Sequence, residues 1–162
     1  FFQIILCIVY FHLKIQMKRE DLFLLMPQLT RRFITFMEKA KIQKNVLGEE
    51  LEECSSNPLT GWFRDGCCNT DNNDAGVHTV CAKVNVEFLE WLKEAGNDLI
   101  TPHKNFGFPG LKDGDNWCVC AGWYAKAVEA GKGCPIYLKK THENTLKLIP
   151  IDVLKKFAID LS

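Results

Sequence analysis

Val77-His78-Thr79-Val80-Cys81-Ala82-Lys83-Val84-Asn85-Val86-Glu87-Phe88-Leu89-Glu90-Trp91-Leu92-Lys93-Glu94-Ala95-Gly96 changes its period at Asn85. Residues 77–84 carry the β-branched and apolar content of a strand. Asn85 stands where a helix N-cap belongs, Phe88, Leu89 and Leu92 then fall on one face of a helix over 86–95, and Gly96 supplies the stop. A strand running directly into an amphipathic helix predicts a mixed α and β domain.

Beyond Gly96, residues 97–116 hold Pro102, Gly107, Pro109, Gly110 and Gly114. A connection of about 20 residues is long for a compact domain, and such loops usually carry function. Beyond it the sequence predicts a strand over 117–121 and a helix over 123–130 closed by Gly131. A further strand follows over 135–139, a turn capped by Thr141, an extended piece over 146–149, and a last helix introduced by Pro150 with Ile151, Leu154, Phe157 and Ala158 on its apolar side. Upstream, residues 45–76 are punctuated by Gly48, Pro58, Gly61, Gly66 and Gly76, which suits turns and short extended pieces. The expected fold is a single compact α+β domain with a small mixed or antiparallel sheet, about three helices and a long Gly/Pro-rich loop.

With 162 residues, 47% hydrophobic, the chain can bury a core without disulfide or metal staples. Residues 37–162 are expected to form that domain. Residues 1–36 read as a leader outside it, transit-like or an extension of the gene model: residues 12–36 bear Lys14, Lys18, Arg19, Arg31 and Arg32 against only Glu20 and Asp21. Phe1 to Phe11 is apolar except for Gln3, yet about 11 residues are too few to span a bilayer. No membrane span is expected, and the location inferred is cytoplasmic, or an organelle if the leader is a genuine transit segment.

Residues 37–162 carry 15 Lys plus Arg against 18 Asp plus Glu, a net of −3, so no basic face for nucleic acid is implied. Within that span Arg64 is the only arginine. Its planar fork suits carboxylate or phosphate, which makes an anionic small molecule the partner to expect; a structural ion pair is the alternative.

Seven of the eight cysteines fall between residues 54 and 134. They cluster with other reactive groups in Arg64-Asp65-Gly66-Cys67-Cys68, His78-Thr79-Val80-Cys81 and Trp117-Cys118-Val119-Cys120. Such thiols can be nucleophiles, metal ligands or small buried apolar groups. Seven cannot all pair within one molecule, and mostly reduced thiols are the expectation. Adjacent Cys67 and Cys68 are too close to bridge without strain, so two separate thiols are expected there. No C-x2-C pair occurs, and the spacing of Cys54, Cys81 and Cys118-x-Cys120 matches no zinc knuckle, so no metal ligand is assigned, although distant ligands could still assemble a site. In a strand, Cys118 and Cys120 share a face, whereas His78 and Cys81 lie on opposite faces. Cys134 reads as inert core, His103 as solvated and His142 as structural.

Asn45-Val46-Leu47-Gly48, Cys54-Ser55, Pro58-Leu59-Thr60-Gly61, Arg64 to Cys68, His78 to Cys81, Gly96 to Leu99, Thr101-Pro102, Phe108 to Lys112, Gly114-Asp115 and Cys118 to Ala121 together resemble the domain of unknown function 2237 family. The resemblance covers about residues 45–160. It implies a domain rather than a reaction, because that family is uncharacterised. Its motif positions map onto Arg64, Asp65, Cys67, Cys68, His78, Cys81, Asn97, Asp98, Thr101, Trp117, Cys118, Cys120 and His142. The pattern departs after Cys120-Ala121, where the family usually carries an Arg-Trp pair and this chain has Trp123-Tyr124.

Two classes of function stay open, with a metal-binding domain as a third. One is a small enzyme or redox protein with Cys67, Cys68, His78 and Asp98 as candidate catalytic groups. Arg64, Asp65, Asn97, Thr101, Trp117, Cys118 and Cys120 are then the binding groups, and the loop is a cover. The other is a noncatalytic binding or structural module in which thiols pack the core and Asn97-Asp98 simply folds the chain. The residues identify neither a cofactor nor an oligomeric state.

Overall fold

The computed structural model describes residues 43–161. The leader, Cys7 and most of the expected entry into the domain at 37–44 lie outside the described residues. Two strands, β1 (Val80–Lys83) and β2 (Asn116–Val119), pair antiparallel with Val80 opposite Val119 and Cys81 opposite Cys118. Three α-helices accompany them: α1 (Val86–Glu94), α2 (Ala121–Glu129) and α3 (Ile151–Lys155). Single 3-10 stretches form at Lys104–Phe106 and Glu143–Lys147. The α+β expectation holds.

Strand alternation divides the interior in two. Val80, Ala82, Trp117 and Val119 join the main apolar core with Phe88, Leu89 and Leu92 of α1 and Tyr124 and Ala127 of α2. The intervening Cys81 and Cys118 join a separate buried cluster with Cys54 and Cys68. Two-residue periodicity thus presents a greasy face to the helices and a sulfur face to residues 54–68.

The local chemistry of α1 follows its sequence. Asn85 Oδ1 accepts from the Phe88 N–H at 2.8 Å, filling one orphan donor of the first turn. At the other end Gly96 adopts φ 99°, the Gly96 N–H donates to Lys93 O and the Asn97 N–H to Leu92 O, a Schellman closure. α2 ends the same way through Gly131 and Lys132.

Four expectations are corrected. β1 covers only 80–83 of the expected 77–84, because Val77 adopts φ 50° and leaves extended geometry. β2 stops at Val119 rather than 121, because Cys120 already serves as the N-terminal boundary of α2. Residues 135–139 do not make a full strand. Ile136 forms single bridges to Ala82 and Ala158, while the Leu138 and Lys139 N–H groups are drawn to the Asp160 carboxylate, each at 2.9 Å. Residues 146–149 are not extended: His142 caps the 3-10 turn of 143–147 by accepting from the Asn144 N–H at 2.9 Å, one position after the expected Thr141.

Thr141 has another task. Its hydroxyl accepts from the Cys81 N–H at 3.1 Å, and the Thr60 hydroxyl accepts from the Cys118 N–H at 2.8 Å. Two buried threonines therefore satisfy the outward Cys81 and Cys118 donors, while the outward Lys83 N–H donates to Pro135 O at 2.8 Å. Among the described residues no helix is long and apolar enough to cross a membrane.

Candidate functional site

The 97–115 loop and the turn around residues 61–64 face each other across an open cleft of about 380 Å³. Leu99, His103, Phe106 and Phe108 line it from the loop, Trp62 and Arg64 from the turn, and buried Trp117 and Cys118 from β2. His78 completes the wall. The loop is itself tied down: Leu111 N–H donates to Leu99 O at 2.8 Å, and His103 pairs with Phe108.

Arg64 is held over the Trp117 ring with its guanidinium carbon 5.0 Å from the centroid, and Nη1 donates to Leu59 O at 3.3 Å. It forms no ion pair among the described residues. Its φ of 53° lies in the left-handed region, an unfavourable conformation for a residue with a Cβ. Gly61 lets this turn close, because a Cβ there would run into the Cys67 carbonyl.

His78 is fixed from three sides. Its Nδ1 lies 2.6 Å from Asp74 Oδ1, its backbone N–H donates to Asp74 Oδ2 at 2.8 Å, and its ring stacks on Trp62 with centroids 5.8 Å apart. Gly76 lies directly beneath, where a Cβ would come within 2.5 Å of the imidazole. Thr70 adds a hydrogen bond to Asp74 Oδ2 at 3.0 Å. Burial raises the Asp74 pKa, but the hydrogen bonds from His78 and Thr70 outweigh it and bring the carboxyl below its ordinary value. An ionised Asp74 keeps the proton of a neutral imidazole on Nδ1 and leaves Nε2 as the acceptor. Val77, immediately before His78, has φ 50°, a rare conformation for a β-branched residue.

The thiols fall differently from the expectation of mostly free cysteines. Cys54 is bonded to Cys81 and Cys68 to Cys118, with Cα separations of 5.8 and 5.4 Å. The pairings span 27 and 50 residues of chain, a proximity no local spacing reveals. Cys67, Cys120 and Cys134 are free, which accounts for the odd count. Cys68 is therefore half of a disulfide rather than a second thiol beside Cys67. The Cys67 thiol is pushed up by its own burial and then by the Asp65 and Glu53 carboxylates, the reverse of activation by Arg64. Burial, with the Asp74 charge behind it, pushes Cys120 up to about 11, and burial pushes Cys134 up to about 12.

Of the residues proposed from the sequence as catalytic or binding groups, Arg64, His78, Asp98, Trp117 and Cys118 line this cleft. Cys67, Cys68, Asp65, Asn97, Thr101 and Cys120 are not among its lining residues. Asp98 lies at the cleft but is occupied: its carboxylate accepts from the Ile100 and Thr101 N–H groups at 2.9 Å and from the Thr101 hydroxyl at 2.7 Å, with Lys93 Nζ at 3.2 Å. The Thr101 hydroxyl first, with these other donors, holds its carboxyl well below the usual range, which suits a loop-folding cap rather than a proton acceptor. Asp65 likewise folds its own turn, accepting from the Cys67 N–H at 3.0 Å and from Asn69 at 2.7 Å. His142 is buried and structural as expected, and burial lowers its pKa. His103 is exposed yet belongs to the cleft rim.

Sequence reading missed Asp74, Trp62, Phe106 and Phe108. Asp74 stands four residues before His78 in a run that reads as turn-forming, Asp71-Asn72-Asn73-Asp74, and that spacing was its one signal.

No curated protein matches this sequence. Residues 44–158 match the family described as "Uncharacterized protein conserved in bacteria (DUF2237)", a span that takes in both disulfides and every residue lining the cleft, and the chain belongs to that family.

Proposed function

We propose that the cleft binds a small molecule carrying an anionic group and an apolar or aromatic portion, with the His78–Asp74 pair placed to move a proton on it. The observation that carries this reading is the meeting of Arg64 and His78 on one aromatic-lined cleft. Arg64 offers donors that no carboxylate among the described residues takes up. Trp62, Phe106, Phe108 and Trp117 supply apolar surface beside it. Asp74 orients the imidazole as a carboxylate orients a general base. In this reading the two disulfides secure the walls, and the free thiols, with their raised pKa values, take no nucleophilic part.

Titration with phenyl phosphate and with benzoate, followed by NMR, tests this. The indole signals of Trp62 and Trp117 and the ring signals of His78 should move together and saturate. If the indoles saturate while His78 stays still, the cleft is a noncatalytic binding module. That second reading draws support from Asp98 and Asp65, which serve as turn caps. Absence of any saturable shift refutes both.

A further inference from the structure

Four sulfurs meet in one buried cluster, drawn from β1, β2 and the two segments that carry Cys54 and Cys68. The Sγ atoms of Cys54, Cys68 and Cys118 all lie within 4.8 Å of one another. Cys81 is bonded to Cys54 and is the cross-strand partner of Cys118. The outward Cys81 and Cys118 N–H groups go to threonine hydroxyls, so this is a non-hydrogen-bonded strand pair, the kind whose side chains stand closest. Cys81 Sγ falls outside that 4.8 Å group and is tied to it through its bond to Cys54.

We propose that the reduced form of this cluster is a tetrathiolate site for one zinc-class divalent cation, held by Cys54, Cys68, Cys81 and Cys118. A tetrahedral centre with Zn–S bonds of about 2.3 Å needs sulfurs about 3.8 Å apart. Cys54 needs to shift by no more than about 1 Å to reach that spacing from Cys68 and Cys118, and opening the two disulfides must separate each bonded pair by about 1.7 Å. An all-sulfur donor set selects soft or borderline metals over magnesium or calcium. Four protein ligands leave no open position, so the centre is structural. The chemistry balances: each disulfide accepts two electrons and two protons from a dithiol, which closes to its own disulfide. The four thiols then release four protons as the cation binds. Sequence spacing hides the site because its ligands come singly from distant segments.

The test uses the full chain, reduced with dithiothreitol, freed of reductant by anaerobic gel filtration and titrated with cobalt(II). The expected result is about one cobalt per chain with thiolate-to-cobalt charge-transfer and tetrahedral visible bands, together with slowed alkylation of four thiols. Cys54→Ser should weaken binding at least about tenfold, since even removing a residue that merely supports a ligand costs that much. The double variant Cys67→Ser/Cys120→Ser should retain it. If the reduced apo chain loses its far-UV circular dichroism, cobalt or zinc should restore it. Reduced chain that shows no cobalt–thiolate bands, or that stays unfolded with metal present, overturns the proposal. So does equal metal binding by the Cys54→Ser variant. These readouts do not depend on phenyl phosphate or benzoate occupying the cleft, so failure of one proposal leaves the other standing.

Discussion

At the scale of single residues, electrostatics decide which groups are available for chemistry. Cys67 stands near Arg64 in sequence, yet its burial and the Asp65 and Glu53 carboxylates raise its pKa. It should therefore react slowly with iodoacetamide at pH 7, and Asp65→Asn, which keeps an oxygen acceptor for the Cys67 N–H, should speed the reaction several-fold. Mass spectrometry of the alkylated native chain checks this; fast alkylation of the unaltered chain would contradict it. Asp74 gives the opposite sign of pH dependence. Its folded pKa lies below its ordinary value of 3.8, so its contribution to stability is complete above that value and is lost as pH falls through the lower folded pKa. Asp74→Asn should cost about 1 to 3 kcal/mol at pH 7 and flatten the loss below about pH 4, as seen in denaturant melts across pH.

At the scale of elements, what was legible in the sequence is what local rules control. The α1 cap at Asn85, its stop at Gly96 and its apolar face need only neighbours in the chain, and each stands as expected, while the strand before it keeps only its second half, Val80–Lys83. The Ile136 bridge, the Asp160 carboxylate that diverts 138–139, and the two disulfides depend on partners 20 or more positions away, which periodicity does not report. The candidate site was half legible for the same reason. Arg64, His78 and Trp117 announce themselves by type, whereas Asp98 betrays its turn-folding role only through its hydrogen bonds. The threonine hydroxyls that close the sheet edges make an element-level prediction. Thr60→Val keeps the shape but strands the buried Cys118 N–H, and should destabilise by about 1 to 3 kcal/mol in urea melts. An exposed serine such as Ser56, changed to Ala, should fall within about 0.5 kcal/mol.

At the scale of the whole molecule, a two-stranded sheet is too small to hold residues 54–70 against it by pairing alone, and the disulfides supply the connection. Closing loops of 27 and 50 residues corresponds to about 3.6 and about 4.1 kcal/mol of unfolded-state entropy. Reduction in the presence of a chelator should lower the melting temperature sharply, and the two single losses should not add, because the loops overlap and share a cluster. Anion binding in the cleft is decided by calorimetric titration of phenyl phosphate into the unaltered chain and into Arg64→Ala and Arg64→Lys. Binding should be saturable, weakened at least about tenfold by Arg64→Ala and partly kept by Arg64→Lys, which retains charge but not the planar fork. Equal affinity in all three proteins, with melting temperatures unchanged, would contradict it.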